Sequence, residues 1–148
     1  MTVIRDWTEK DLPAIAMLER ACFSEPWTME MLKNEFSRKE FCGALLEEDG
    51  KIVGFVCGIT LFEDAELMKV AVAESCRKRG LGGALVDEFY SRAVSRGAER
   101  IFLEVRVSNA AALGLYQSRG YEKTRLRKRY YADGEDALEM KKEVHSEE

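Results

Sequence analysis

The pattern of apolar and polar positions predicts a chain in which short strands and amphipathic helices follow one another. "VIRDWT" predicts a first strand, and the first helix after it has an apolar face comprising Leu12, Ile15, Leu18 and Cys22. Asp11 is placed to cap this helix, and Pro13 falls in its first turn, where proline is tolerated. Thr28 is placed to cap a second helix that runs through about Phe36.

The middle of the chain predicts a hairpin, a further strand and a helix. The stretches "FCGALLEE" and "KIVGFVCGITLF" flank Asp49-Gly50, and an Asp-Gly pair between apolar runs is typical of a tight hairpin turn. "ELMKVAVA" predicts the next strand. A loop rich in glycine then leads into a helix that extends to about Arg96 and ends at Gly97.

The last third of the chain predicts three more strands and one helix. The alternating segment "RIFLEVRVS" predicts a strand with one face made of Ile101, Leu103, Val105 and Val107. Asn109 is placed to cap a short helix, and Gly120 is placed to end it. "YEKTRLRKRYY", the turn Asp133-Gly134 and "EDALEMKKE" predict a final pair of strands.

The predicted order, β-α-α-β-β-β-α-β-α-β-β, indicates a mixed α/β (α+β) fold in which helices cover a largely antiparallel sheet. Because a helix lies between the fourth and fifth strands, we expect a parallel crossover at that point. One domain is expected to span residues 1–148, with a charged tail over about residues 143–148.

Composition and charge narrow the function classes. A chain of 148 residues with 46% apolar residues suffices for one sizeable core. Its net charge of −4 argues against a general nucleic-acid binder. No apolar run approaches the ~20 residues of a membrane span, and the charged N-terminus lacks the apolar core of an export signal. We therefore expect a cytoplasmic protein that binds neither nucleic acid directly nor a membrane.

The cysteines and the single histidine bear on the available chemistry. The cysteines form no Cys-x-x-Cys motif, and His145 lies in the charged tail. We expect no metal site and reduced thiols that pack in the core, with Cys76, beside the glycine loop, the least determined. Acid–base chemistry must then fall to residues other than histidine.

The stretch "CRKRGLGGAL", residues 76–85, places three basic residues and three glycines at the start of a helix. Glycines let a backbone approach phosphate oxygens closely, and the free amides of a helix N-terminus favour an anion. The stretch lacks the ending of a Walker A loop, and Leu85 stands where the dinucleotide fingerprint has its third glycine. Taken alone, it is either another kind of phosphate site or a solvated basic turn.

Two residues beyond the loop are candidates for acid–base chemistry. Glu104 interrupts an apolar strand on the face opposite Leu103, so it faces either a ligand or a salt-bridge partner such as Arg106 or a residue of a neighbouring strand. Tyr116 lies at the end of the next helix, where core packing is the alternative to a role in a site.

Taken together, these residues resemble the GNAT superfamily of acetyl-CoA-dependent N-acetyltransferases over about residues 3–142. The similarity in order and spacing lies in Arg77-x-x-Gly80-x-Gly82, Leu103-Glu104-Val105 and Asn109-x-x-Ala112-x-x-Leu115-Tyr116-x-x-x-Gly120-Tyr121. Four stretches resemble the RimI family of ribosomal-protein-alanine N-acetyltransferases: "EPWT", "KVAVAES", "LEVRVSNAAALGLY" and "RKRYYADGEDALEM". The chain departs from many relatives, which have Asp-Pro and an aromatic residue where it has Ala73-Glu74-Ser75-Cys76.

The resemblance implies a splayed sheet whose fourth and fifth strands part to admit the pantetheine arm of acetyl-CoA. It implies Glu104 as the general base and Tyr116 as the general acid. The coenzyme contacts that it implies come from Val70, Ala71, Val72, Arg77, Lys78, Arg79, Gly80, Leu81, Gly82 and Asn109. The residues that it implies along the peptide groove are Trp27, Arg129, Tyr130 and Tyr131.

The chemistry of acetyl transfer agrees with these roles. An α-amine has a pKa of about 8, against about 10.4 for lysine, so a glutamate acting directly or through water suffices for an N-terminus. Backbone amides of the parted strand can stabilise the charge that develops on the thioester oxygen. A phenol with a pKa of about 10 can protonate a leaving thiolate whose thiol titrates near about 8.5.

The expected substrate is a protein N-terminus, in particular the N-terminal alanine of a small-subunit ribosomal protein. Acidic residues on segments expected to flank the groove favour a basic peptide, or serve solvation alone: Glu25, Glu30, Glu35, Glu63, Asp64 and Glu66. Two alternatives stay open. The enzyme could acetylate a small amine, or the chain could be a regulatory module that binds coenzyme A without catalysis.

Overall fold

The computed structural model describes residues 2–144, which contain seven strands and four α-helices in the predicted order. The strands are β1 (Thr2–Arg5), β2 (Phe41–Glu48), β3 (Lys51–Leu61), β4 (Asp64–Val72), β5 (Arg100–Arg106), β6 (Glu122–Arg127) and β7 (Ala137–Glu143). The helices are α1 (Leu12–Cys22), α2 (Met29–Phe36), α3 (Leu81–Ser95) and α4 (Ala110–Ser118). The predicted tail overlaps the end of β7, while residues 145–148, with His145, lie outside the described residues.

All seven strands join one sheet in the order β1-β2-β3-β4-β5-β7-β6. Every neighbouring pair is antiparallel except β4 and β5, which run parallel. The predicted mixed α/β fold, with a largely antiparallel sheet and one parallel crossover, is confirmed.

The parallel junction between β4 and β5 is short. The two strands pair only through Asp64 with Arg100, Ala65 with Ile101 and Glu66 with Phe102. A bulge explains why β4 then turns away: its register against β3 shifts at Gly58 and leaves Met68 without a partner, and a bulge bends its strand. Gly58 permits the close approach, because a Cβ there would lie 1.9 Å from the carbonyl oxygen of Glu66.

Helices pack on both faces of the sheet and bury two apolar clusters. On one face, Leu85 and Phe89 of α3 pack with Ile101 and Leu103 of β5. On the other face, α1 and α2 cover a cluster that includes Trp7, and its aromatic contacts are with Phe36, Phe41 and Phe55. The side chains of β5 that point away from α3 are only half-buried, which leaves room for a site on that face.

The start of the chain departs from the prediction. The first strand ends at Arg5, because the Trp7 indole turns into the core and donates to the carbonyl oxygen of Ala44 at 2.9 Å. A 3₁₀ turn over Glu9–Asp11 then precedes α1. Asp11 stands at the N-cap position of α1, as predicted, but its side chain makes no capping bond to that helix and accepts hydrogen bonds from the Thr8 amide and from Arg5 instead.

Two later strands are shorter than predicted. β5 ends at Arg106, so Val107 is exposed instead of lying on the buried face. β6 ends at Arg127, because Arg129 adopts a left-handed backbone with φ of +52°, which a strand does not accommodate. The predicted caps of α2 and α4 are confirmed, since the side chains of Thr28 and Asn109 accept hydrogen bonds from backbone amides of the first turn.

All four cysteines are free thiols, and Cys42, Cys57 and Cys76 are buried as predicted, whereas Cys22 is half-buried. Within residues 2–144, no group of three or more His, Cys, Asp or Glu side chains has the arrangement of a metal site. No helix in this part of the chain is both long and apolar enough to span a bilayer.

Candidate active site

Three neighbouring cavities lie along the line where β4 and β5 part. The glycine-loop cavity, of about 460 Å³, is bounded by the end of β4, the loop before α3, and α4. The central cavity, of about 360 Å³, lies between β4, β5 and the segment that joins α1 to α2. The acidic cavity, of about 330 Å³, lies beside the paired part of β4 and β5. The central cavity shares several lining residues with the glycine-loop cavity and Glu104 alone with the acidic cavity, so the three lie in a row.

The glycine-loop cavity gathers most of the residues expected to bind a coenzyme. These are Val70, Ala71, Val72, Arg77, Lys78, Gly80, Leu81, Gly82 and Asn109. Arg79 does not line it: its guanidinium pairs with Glu48, with Nη2 lying 2.5 Å from Oε2. This pair holds the pKa of Glu48 well below its usual range, at about 2.

The floor of the glycine-loop cavity suits a phosphate group. Gly80 precedes α3 with φ of +78°, and no side chain caps the first amides of this 15-residue helix. Arg77 and Lys78 line the same space. Unpaired amides and the positive end of the helix dipole favour an anion there. Among residues 2–144, no strand pairs with the edge of β4 beyond Glu66, where Arg77 donates to the Val72 carbonyl oxygen at 2.9 Å, so an extended ligand could pair with the rest of it.

Tyr116 stands where the glycine-loop cavity meets the central cavity. It lines both, together with Phe23, Val70, Asn109 and Ala112. The residue is buried and packs edge-on against Tyr121, with ring centroids 5.8 Å apart. Burial raises the pKa of Tyr116 above that of an ordinary phenol. Tyr116 is therefore protonated at neutral pH, and it is a weaker acid than the ordinary phenol assumed from the sequence.

Glu104 lies on the wall that the central and acidic cavities share. Its carboxylate is largely covered, and Arg127 of β6 approaches to 2.5 Å through Nε. Arg127 also reaches Glu139 of β7, at 3.5 Å. A hydrogen bond to Glu104 raises the pKa of Tyr130 to about 12. The carboxylate thus faces a cavity and also forms a salt bridge, but its partner is Arg127 of β6, beyond the adjacent β7, and not Arg106 or a residue of a neighbouring strand.

The acidic cavity combines carboxylates with an apolar floor. Asp64, Glu66, Glu104 and Glu139 line it with Arg127, over a floor that includes Ile59, Ala65 and Phe102. Burial, helped by the charges of Glu104 and Glu35, raises the pKa of Glu66. The cavity is suited to a long cationic side chain, which would lay its aliphatic stem on the floor and its charge against the walls.

The other acidic residues noted in the sequence are distributed differently. Glu25 lines the central cavity, whereas Glu30 and Glu63 are simply exposed. Glu35 forms a salt bridge with Arg38 at 3.4 Å. Of the six, only Glu25, Asp64 and Glu66 line a cavity, and two of these also pair with arginines: Asp64 with Arg100 at 2.7 Å and Glu25 with Arg106 at 3.9 Å.

The residues expected to line a peptide groove are only partly together. Trp27 and Tyr131 line the central cavity, and the Arg106 guanidinium lies 4.1 Å from the centroid of the Tyr131 ring. Tyr130 is 49% exposed and packs edge-on against Tyr131. Arg129 lines none of the three cavities, and its amide donates to Asp136 at 2.8 Å.

Sequence reasoning missed four charged residues of this region: Glu19, Lys69, Arg127 and Glu139. Glu19 follows Ile15 by four positions on the apolar face of α1, and Lys69 interrupts the apolar run of β4. Each is a charged residue within an otherwise apolar pattern, as Glu104 is, so a search for such interruptions would have found both. Arg127 and Glu139 lie on strands where charge is frequent, and nothing local marks them.

Comparison with known proteins gives consistent matches over most of the chain. The sequence model of the acetyltransferase (GNAT) family matches residues 12–121. An uncharacterized N-acetyltransferase of Methanocaldococcus jannaschii, MJ1530, is 34% identical over 141 residues, covering 93% of this chain and 89% of that protein. The ribosomal protein bS18-alanine N-acetyltransferase of Escherichia coli K12 is 32% identical over 143 residues, covering 95% and 96%. The crystal structure of the ribosomal-protein-S18-alanine N-acetyltransferase from Escherichia coli aligns with a TM-score of 0.92 at 30% identity, covering 100% of this chain and 97% of that one.

Proposed function

We propose, from the premise that the chain belongs to the GNAT family of acetyltransferases, that it transfers the acetyl group of acetyl-CoA to the N-terminal α-amine of a protein. The chain is an N-acetyltransferase of the GNAT type. The proposed acceptor is the N-terminal alanine of a ribosomal protein, the substrate for which its Escherichia coli relative is named.

One observation carries the proposal: the glycine-loop cavity and the central cavity meet at Tyr116, where β4 and β5 part. A long coenzyme in the first cavity would present its reactive end at the point where an acceptor in the second arrives. Both reactants can therefore be held together in a ternary complex, with no covalent enzyme intermediate.

The coenzyme site is proposed along the glycine-loop cavity. Acetyl-CoA supplies the activated acetyl thioester when it is bound. The first amides of α3, from Leu81 onward, and the side chains of Arg77 and Lys78 would hold its pyrophosphate. The edge of β4 at Val70–Val72 would bind the pantetheine amides, with Asn109 beside them. At Val72 the ligand would have to displace Arg77, whose Nε donates to the Val72 carbonyl oxygen at 2.9 Å. Arg79 could join only by exchanging Glu48 for a phosphate oxygen.

The proton transfers are assigned to Glu104 and Tyr116. Glu104 would take a proton from the acceptor α-amine, directly or through a water molecule, as the new C–N bond forms. Tyr116 would give its proton to the sulfur as the C–S bond breaks. Main-chain amides of β4 would stabilise the charge that develops on the carbonyl oxygen.

The shape of the acceptor side favours a peptide over a small amine. The acidic cavity lies next to the central cavity with Glu104 between them, so the two together would offer an acceptor a length well beyond its reacting amine. A polyamine or an amino sugar would leave most of this length empty, whereas the residues after a protein N-terminus would fill it. The carboxylates along it suit a basic peptide such as the tail of a ribosomal protein.

Acetyl-CoA turnover against a panel of acceptors tests the proposal. The panel should contain alanine-first basic peptides, the same peptides with a blocked α-amine, and small amines, with products identified by mass. We expect acetylation at the free α-amine of the basic peptides. Acetylation of small amines alone would replace the proposed substrate, and tight coenzyme A binding without any turnover would indicate a regulatory module.

A further inference from the structure

A buried carboxylate lies behind the central cavity. Glu19 of α1 is 0% exposed, and among the charged residues of the described chain only Asp11 is also buried. Asp11 is explained by its hydrogen bonds at the start of the chain. Glu19 takes no part in the proposed acetyl transfer, so its burial needs a separate explanation.

The contacts of Glu19 converge on one wall of the acceptor site. Its Oε1 accepts hydrogen bonds from the Lys69 ammonium at 2.7 Å and from the backbone amide of Trp27 at 2.9 Å. Its Oε2 has no hydrogen-bond partner among residues 2–144. The carboxylate therefore connects α1, β4 and the segment of residues 23–27 that joins α1 to α2.

Lys69 also holds the segment of residues 23–27, through contacts with two of its aromatic rings. Its ammonium lies 4.3 Å from the centroid of the Phe23 ring and 4.6 Å from that of Trp27. Its side chain is 13% exposed and lines the central cavity with Glu104 and Tyr116. Cation–π contacts of a desolvated ammonium are stronger than exposed ones. Residues 23–27 are thereby held to β4 at the residue directly before its predicted coenzyme edge, Val70–Val72.

We propose that Glu19 and Lys69 are positioning residues that hold residues 23–27 as the wall of the acceptor site and so control binding of the acceptor amine. This inference rests on the proposed function. An ion pair removed from water recovers little of its desolvation cost, and apolar replacement of both partners is often neutral or stabilising. We take the buried Glu19–Lys69 ion pair, which recovers little of its desolvation cost, to hold neighbouring groups in place. The groups it holds here are Phe23 and Trp27.

The double variant E19L/K69M tests the proposal, because it removes both charges together and leaves no unpaired charge in the core. The matched control is Lys141→Met, which breaks the exposed 2.9 Å pair between Lys141 and Glu143. We expect the double variant to keep its coenzyme affinity and to lose only a little thermal stability, because the partly buried Trp27 amide loses its acceptor. Its KM for an alanine-first peptide should rise about 10- to 100-fold, more than kcat falls, as expected when a positioning wall moves. The control should leave KM unchanged.

Hydrogen exchange without substrate supplies a readout that does not depend on turnover. The Trp27 amide should exchange faster in the double variant, while the amides of α3 keep their protection. An unchanged KM, or an unchanged exchange rate at Trp27, would overturn the inference. A wild-type protein that acetylates no N-terminal peptide would refute the proposed function instead, and the exchange rates would still decide whether the pair holds the segment.

Discussion

The glycine-loop cavity and the acceptor side of the site, which meet where β4 and β5 part, are formed by different kinds of chemical groups. The glycine-loop cavity is formed largely by main chain: a strand edge, a glycine in a left-handed conformation and the first turn of α3. The acceptor side is formed by side chains, with Arg127 placed between Glu104 and Glu139, and Lys69 placed between two aromatic rings. A main-chain site depends on backbone conformation, whereas a side-chain site depends on charge pairs that single substitutions can break.

The contrast predicts separable losses. Changes in the loop should weaken coenzyme binding and leave the chemical step intact. Changes around Glu104 should alter turnover or acceptor binding and leave coenzyme affinity intact. A loop substitution that slowed the chemical step, or a substitution around Glu104 that weakened coenzyme binding, would show that the two cavities are coupled more tightly than their shared lining at Tyr116 requires.

The sharpest test of the acceptor side is Glu104→Gln. Loss of a general base lowers turnover by about 10²- to 10⁴-fold, and glutamine keeps the size of the side chain. We expect kcat for an N-terminal peptide to fall in that range. Calorimetric titration should give the same coenzyme affinity as the wild type. Unchanged turnover would remove Glu104 as the base.

Tyr116→Phe should have the next largest effect, because it removes the proposed proton donor without emptying the core. We expect kcat to fall by about 10- to 100-fold, the lower end of the range for a lost acid. Tyr121→Phe is the matched control: that ring is also buried, its hydroxyl finds no hydrogen-bond partner in the described part of the chain, and it lines none of the three cavities. Equal losses in the two variants would assign the effect to packing.

Gly80→Ala tests the main-chain side. At φ of +78° an alanine is strained by about 1–2 kcal/mol, so the loop relaxes and coenzyme binding must restore it. We expect the coenzyme Kd to rise by about 5- to 30-fold, with kcat at saturating coenzyme nearly unchanged. Gly97→Ala carries a similar strain at the other end of α3, where φ is +97°. It should lose stability alone, measured by urea unfolding.

The smallest expected effect is that of replacing Glu66, which should weaken binding of a basic peptide but stabilise the folded protein. Glu66→Gln should raise KM for a basic peptide by about 2- to 5-fold, as for a partly exposed ion pair. The raised pKa means that the folded protein holds this proton more tightly than the unfolded chain does. Ionised Glu66 therefore opposes folding at neutral pH, and the variant should unfold at higher urea concentration at pH 7.

That gain in stability should shrink as the pH falls, and it should vanish below the unfolded-state pKa of about 4.3, where Glu66 is protonated in both states. Glu63→Gln, at the exposed turn before β4, is the control and should change neither quantity. A drop in stability at pH 7 would show that Glu66 has a favourable partner in the folded state.

The sequence predicted the main-chain side better than the side-chain side. Periodicity and turn residues give the order of the elements, and the spacing of Gly80 and Gly82 marks the loop, because backbone conformation leaves local traces. Arg79 shows the limit of that reasoning. Its charge suggested a phosphate ligand, but a glutamate from β2, 31 positions away in sequence, lies against it.

The acceptor side depends on pairs that are distant in sequence. Lys69 and Glu19 lie 50 residues apart, and Glu104 meets Arg127 only because β5, β7 and β6 lie side by side. Neither partner of such a pair identifies the other from sequence. The splay itself could be inferred only through the family resemblance, since Gly58 inside β3 indicates a bulge but not that β4 and β5 part beyond it.

The uncovered stretch of β4 has a consequence for the lifetime of the protein. Most sheets keep their unpaired edges at the rim, where charge or proline discourages another chain from adding a strand. Here an apolar edge, "VAV", lies in the middle of the sheet without pairing to β5, and the Arg77 side chain covers only its end, at the Val72 carbonyl oxygen. The proposed coenzyme would cover it, and a ligand at 100 times its Kd adds about 2.7 kcal/mol to the free energy of unfolding. On this view acetyl-CoA stabilises the enzyme that uses it. When acetyl-CoA is scarce, the first effect on the protein should be aggregation through this strand edge.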